Sequence, residues 1–133
     1  MIHRLLILIG LLVPTIAPAE GPLYGGDFED LSVGRTFQFT NQGEDFGVET
    51  YLPGRRVIWE RLTGPMAGIC QYGVWYEYED NICFVYGISM RSHCWFTFET
   101  ETGFTVLSAD TSDVQEAATY DGVPPCAAPH LGS

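Results

Sequence analysis

The sequence predicts an all-β domain: a small antiparallel meander curling into a barrel, with short helical turns at its ends. Three observations carry this. Between Gly34 and Asp110, runs of β-branched and aromatic residues recur, broken by Gly, Pro, Asn and Asp. The connectors between the runs are short, so neighbours in sequence must be neighbours in the sheet. A meander of this length cannot bury both faces of an open sheet, whereas closing it encloses the apolar face and removes the exposed edges.

Taken in order, residues 1–19 read as a signal peptide. Met1, His3 and Arg4 give a short positive region, and Ala17-Pro18-Ala19 a small-x-small cleavage pattern. The apolar run between them, Leu5 to Val13, falls short of the ~20 residues a crossing helix needs. Residues 20–33 are a lead-in, in which Asp27 to Leu31 make one helical turn capped by Asp27. The barrel domain occupies 34–110, with strands at about 34–40, 46–52, 55–62, 71–79, 82–87, 93–100 and 103–109. Pro53-Gly54, Asp80-Asn81 and Thr102-Gly103 supply its tight turns. Residues 111–133 form a tail, where Ser112 to Gln115 has capping-box form and starts a short helix through Ala118. The Pro- and Gly-rich remainder is irregular and stapled to the sheet through Cys126.

Four cysteines behind an export signal read as two disulfides, with three possible connectivities. A two-residue Asp80-Asn81 turn pairs Glu79 with Ile82 and sets Tyr78 opposite Cys83. Cys70 is then eight positions from the residue facing Cys83, about 26 Å at ~3.3 Å per residue, beyond the reach of a disulfide. Cys83–Cys94 across a hairpin and Cys70–Cys126 fixing the tail fit best.

Alternation sorts the same strands into two faces. One collects Cys70, Tyr72, Val74, Tyr76, Tyr78, Cys83, Val85, Cys94, Phe96 and Phe98. The other collects Trp75, Glu77, Glu79, Phe84, Tyr86, Trp95, Thr97 and Glu99. Because only the second carries acids, the first is expected inside. The Pro53-Gly54 turn places Val48, Val57 and Trp59 on a buried face, with Tyr51 and Arg56 meeting outside near Glu49 and Glu60.

Charge excludes one function class. The chain has 17 Asp and Glu against 6 Arg and no Lys, for a net charge of -11. Removing residues 1–19 takes away one Arg and no acid, leaving -12. No basic stripe exists to neutralise phosphates, which argues against nucleic acid, and the field repels anionic lipid, so no membrane insertion is expected after signal cleavage. No Gly-x-Ser-x-Gly elbow, phosphate loop, His-Glu-x-x-His or dinucleotide fingerprint is present, so no cofactor and no catalytic set are assigned. A zinc site built on His93 and His130 would need cysteines that the disulfides claim, and Asp110 with Asp113 lack the ligand count of a calcium loop.

What stands above background is aromatic. Trp75, Phe84, Tyr86 and Trp95 fall on the acid-bearing face of three successive strands, where a solvated wall has no need of them. An acid-rimmed aromatic patch suits a basic protein or an amphipathic ligand.

The runs Tyr51-Leu52-Pro53-Gly54-Arg55-Arg56-Val57-Ile58-Trp59, Gly73-Val74-Trp75-Tyr76, Ile82-Cys83-Phe84-Val85-Tyr86 and Cys94-Trp95-Phe96 resemble the pattern of small uncharacterised exported proteins of Gram-negative bacteria. The resemblance covers roughly residues 34 to 98 and implies export and a β domain, with no activity attached. The architecture is similar to lipocalin-like barrels and to periplasmic barrels that inhibit lysozymes or metalloproteases. The expectation is therefore a monomeric, periplasmic or secreted, non-enzymatic binding module, an inhibitor of a basic envelope protein such as a lysozyme or a secreted protease. The alternative is a small acid-based hydrolase of the cell envelope using Glu77 or Glu79, two acids at strand spacing.

Overall fold

A computed structural model describes residues 21–87, 89 and 91–131, so the segment read as a signal peptide lies outside the described residues. A helix, α1 (Gly25–Ser32), leads into eight strands: β1 (Thr36–Asn41), β2 (Glu44–Leu52), β3 (Arg56–Glu60), β4 (Cys70–Tyr78), β5 (Asn81–Tyr86), β6 (His93–Glu99), β7 (Gly103–Ser108) and β8 (Val114–Thr119). Each pairs antiparallel with the next, and β8 returns to β1, so the meander closes as an eight-stranded barrel. A 3-10 turn, Ala128–His130, ends the tail. Among the described residues no helix is long and apolar enough to cross a membrane.

The eighth strand corrects the sequence reading, which put a helix through Ala118 and ended the barrel at residue 110. Gln115 and Ala117 are buried while Val114, Glu116 and Ala118 are exposed, the period-two pattern of a strand. The physical reason is closure. Seven strands leave two rows of unpaired backbone groups, and β8 satisfies both by bonding to β7 and β1, which outweighs a modest helical preference.

Two turns differ from expectation, with unequal consequences. The β4–β5 turn is Glu79-Asp80, with Glu79 at φ +52°, so Tyr78 pairs with Asn81 and Tyr76 faces Cys83. The slip is of two residues and leaves every side chain on its face. Cys70 is still six positions from the residue opposite Cys83, roughly 20 Å, and the structure pairs Cys83 with Cys94 and Cys70 with Cys126. By loop entropy these contribute about 3 and 4 kcal/mol. The β2–β3 turn is Pro53-Gly54-Arg55, with Gly54 and Arg55 both left-handed, so Tyr51 pairs with Val57 and Glu49 with Trp59. That slip is of one residue. It turns Glu49 and Tyr51 inward and moves Val48 to the outer side of the sheet, where it is still buried as expected, and it removes the expected meeting of Tyr51 with Arg56, which bonds to the Pro53 carbonyl instead.

The two faces are also inverted relative to expectation. Trp75 and Phe84 are inside at 3% and 6% exposure, whereas Tyr72 and Tyr78 are outside at 52% and 60%. The acids that marked the Trp75 face as wet sit where the barrel wall ends: Glu79 in a turn, Glu99 as the last residue of β6, and Glu77 at the rim beside Arg55. A rim position is solvated whichever way it points.

The α1 helix plugs one end. Asp27 lies in its first turn rather than at the cap, which is Tyr24. Phe28 enters the barrel and packs edge-on against Tyr51, Trp75 and Phe104, with ring centroids 5.1–5.4 Å apart. The chain is tied to the wall on either side of the helix: the Leu23 N–H donates to the Thr97 carbonyl (2.6 Å) and the Gly34 N–H to that of Tyr51 (2.8 Å). A second, small core lies outside the barrel, where Leu52 and Ile58 are covered by Cys126, Ala127 and Leu131. There Glu60 accepts a hydrogen bond from the Cys126 N–H (3.1 Å), so the stapled tail makes β2 and β3 dry on both sides.

Candidate functional site

Opposite the plug the barrel interior opens into a cavity of about 540 Å³. Its floor is the upper surface of the plugged core, formed by Tyr51, Phe84 and Phe104. Its walls carry Phe39, Trp59, Tyr86 and Trp95, and its mouth His93, Asp110, Thr111 and Asp113. The wall is aromatic because alternation sends Phe84 and Tyr86 of β5, and Trp59 of β3, to the same side. Between Phe39 and Thr40 the β1–β2 ladder carries a bulge that leaves Phe46 unpaired and aims it at the mouth, 5.4 Å from Trp59. Two glycines make room for the large rings. A Cβ on Gly47 would lie 2.7 Å from the Trp59 indole, and one on Gly73 2.4 Å from the Val85 carbonyl and 2.8 Å from the Tyr86 ring, so any side chain there forces the wall to shift.

Set into this aromatic surface is one carboxyl. Glu49 is 2% exposed and accepts a hydrogen bond from the Tyr86 hydroxyl. Burial pushes its pKa up from 4.5 to about 7, while the hydrogen bond from Tyr86 and the nearby Tyr51 hydroxyl work in the opposite direction. The Tyr51 hydroxyl is turned toward the carboxyl but closes no well-formed hydrogen bond, and it is fully buried. Burial, and then the neighbouring Glu49 charge, hold both tyrosines well above the usual phenol range. Neither is a ready proton donor by ionisation. Both offer a neutral hydroxyl dipole beside a carboxyl that titrates near neutrality.

The four aromatic residues singled out from the sequence divide between two sites. Phe84, Tyr86 and Trp95 line the cavity, whereas Trp75 belongs to the plugged core under Arg55. All four project into the barrel rather than out to solvent. Glu77 and Glu79 do not converge. Glu77 pairs with Arg55 (3.3 Å) at the plugged end, and Glu79 stands in the neighbouring turn. At the mouth, Asp113 accepts from Asn41 (3.1 Å) and Gln115 (3.2 Å), and Asp110 accepts from Ser108 (2.8 Å). Among the described residues no group of three His, Cys, Asp or Glu is placed to hold a metal. Glu49 and Tyr51 escaped the sequence reading as site residues because their inward direction depends on a left-handed Arg55, which local composition does not announce.

No protein-family model, curated protein or solved structure matches this chain.

Proposed function

We propose that this chain is a non-enzymatic, exported binding module that takes a small, largely apolar molecule into the open end of its barrel. The observation that carries the reading is the cavity itself, whose 540 Å³ lies in the range of ligand sites, aromatic in its walls and closed below by the plugged core. Two disulfides suit the periplasm or the exterior, where such bonds persist. An exposed aromatic face was the ground for expecting a basic protein partner. With those rings turned into the barrel, the occupant they fit is a small molecule.

The test is titration of the mature, disulfide-bonded protein with N-phenyl-1-naphthylamine, an uncharged probe that fluoresces in apolar surroundings. Saturable, blue-shifted emission at one probe per chain is expected, weakened in Trp95→Ala and unchanged in Thr105→Ala on the outer wall. A folded protein that shows no saturable emission would overturn the reading.

A further inference from the structure

We propose that the cavity selects organic cations, an ammonium group carried on an apolar body, with the charge seated at Glu49 between Tyr51 and Tyr86; this rests on reading the cavity as a small-molecule site. The first ground is a missing countercharge. Glu49 is buried within the barrel wall, and no Arg lines the cavity. The chain contains no Lys. Arg55 is engaged with Glu29 and Glu77, Arg35 with the Leu31 carbonyl and Thr119, and Arg56 with the Pro53 carbonyl, while Arg61 stacks over the Phe46 ring at the mouth without lining the cavity. A buried carboxylate without a partner is costly, and an incoming cation removes that cost where a neutral or anionic guest does not.

The second ground is an unused polar atom. The Tyr51 hydroxyl, 1% exposed, makes no hydrogen bond of good geometry and stands beside the carboxyl. It is placed to accept from an ammonium N–H while Glu49 accepts another. The third is the wall. Trp59, Tyr86 and Trp95 line the cavity with aromatic rings, the side-chain type that attracts cations and shelters an apolar tail. Asp110 and Asp113 outnumber Arg61, which lies over Phe46, so the mouth favours a cation over a fatty-acid carboxylate.

Protons compete for the same seat. Glu49 faces Tyr51 of its own strand, Trp59 of β3 and Tyr86 of β5, and the other titratable groups of the cavity are His93, Asp110 and Asp113 at the mouth. Since burial raises the Glu49 carboxyl to about 7, it is protonated at pH 5.5 and mostly ionised at pH 8, and a bound cation must displace its proton. Affinity for a cation therefore rises across this window, while affinity for a neutral analogue stays flat.

The experiment compares 4-phenylbutylamine, 4-phenylbutan-1-ol and 5-phenylpentanoate by calorimetry on the mature protein at pH 5.5 and pH 8. At pH 8 the amine should bind about tenfold tighter than the alcohol, and the carboxylate weakest. That preference should collapse at pH 5.5 and in Glu49→Gln, and shrink in Tyr51→Phe. Should Glu49→Gln fail to fold, the wild-type pH series and Tyr51→Phe decide. Equal binding of amine and alcohol at pH 8, or a preference that survives Glu49→Gln, overturns the proposal. If N-phenyl-1-naphthylamine still binds in that case, the small-molecule reading stands and only cation selection falls. If neither it nor any of the three binds, both fall.

Discussion

The two ends of the barrel are built from the same strands and the same kinds of ring, yet they have opposite constitutions. At the plugged end Phe28 fills the space between Tyr51, Trp75 and Phe104, and the charges stay outside, where Arg55 bridges Glu29 (3.2 Å) and Glu77 (3.3 Å). At the open end no side chain among the described residues enters between Trp59, Tyr86 and Trp95, and the Glu49 carboxyl sits inside with hydroxyls for company. What separates a core from a site here is therefore the occupant more than the wall. Eight residues of helix turn one half of an aromatic tube into stabilising packing and leave the other half as an open cavity.

The largest expected effect tests that division directly. Phe28→Ala removes a fully buried ring with close aromatic neighbours and should cost about 3–5 kcal/mol, read as a fall in the urea midpoint at unchanged slope. Trp95→Ala removes a half-buried ring from a wall that lines the open cavity, so it should cost nearer ~1 kcal/mol while weakening probe binding. Equal costs would show that the open end is as much a core as the plugged one.

Next in size is the effect of pH through Glu49. The folded state holds this proton up to about pH 7, whereas the unfolded chain releases it near its ordinary 4.5. Between those values the folded state binds more protons. Its stability contribution is therefore complete below about pH 4.5, falls as pH rises through 7 and levels off above, for a loss of about 3 kcal/mol. Glu49→Gln keeps the shape and loses the titration. Relative to wild type it should gain stability steadily from pH 4 to pH 8, measured as paired denaturant midpoints. A constant difference across that range would place Glu49 in water rather than in the barrel.

How much of this was legible in the sequence follows the same geometry. The strands from β1 to β7 and both disulfides were readable, because turn residues punctuate the chain and because a slip of two residues at Glu79-Asp80 leaves the faces and the cysteine pairing intact. The direction of the faces was not. Counting acids fails for Glu77, Glu79 and Glu99, which lie where each strand meets solvent, and the exposed Tyr72, Tyr76 and Tyr78 look like core residues by composition alone. Strand β8 was hidden because Ala117 and Ala118 favour helix locally and only the long-range need to close the sheet decides otherwise. Glu49 was hidden twice over, since a one-residue register slip set by Arg55 at φ +58° carries it inside. Of the four aromatic residues taken for a binding face, three line the cavity because being on one side of the sheet was legible, and which side was not.

Arg55 decides whether the two ends communicate. Its guanidinium lies 4.4 Å from the Trp75 ring centroid and touches two carboxylates, an arrangement that latches α1 to the wall from outside. The carboxylates are 39% and 41% exposed and the Arg side chain 34%, so solvent screens both pairs and each is worth well under ~1 kcal/mol. The stacked contact adds about 0.5–1 kcal/mol. Arg55→Gln should therefore lower stability by about 1 kcal/mol, and raising the salt concentration should reduce the ion-pair share of that loss. Arg55 also holds the left-handed backbone that sets the β2–β3 register, yet Gln can adopt the same conformation at small cost and the Trp75 N–H still bonds to the residue-55 carbonyl. Binding of N-phenyl-1-naphthylamine at the far end should not change. If it weakens along with stability, the latch reaches Glu49 and Tyr51 through β2, and the plug and the cavity form one cooperative unit rather than two independent ends of a tube.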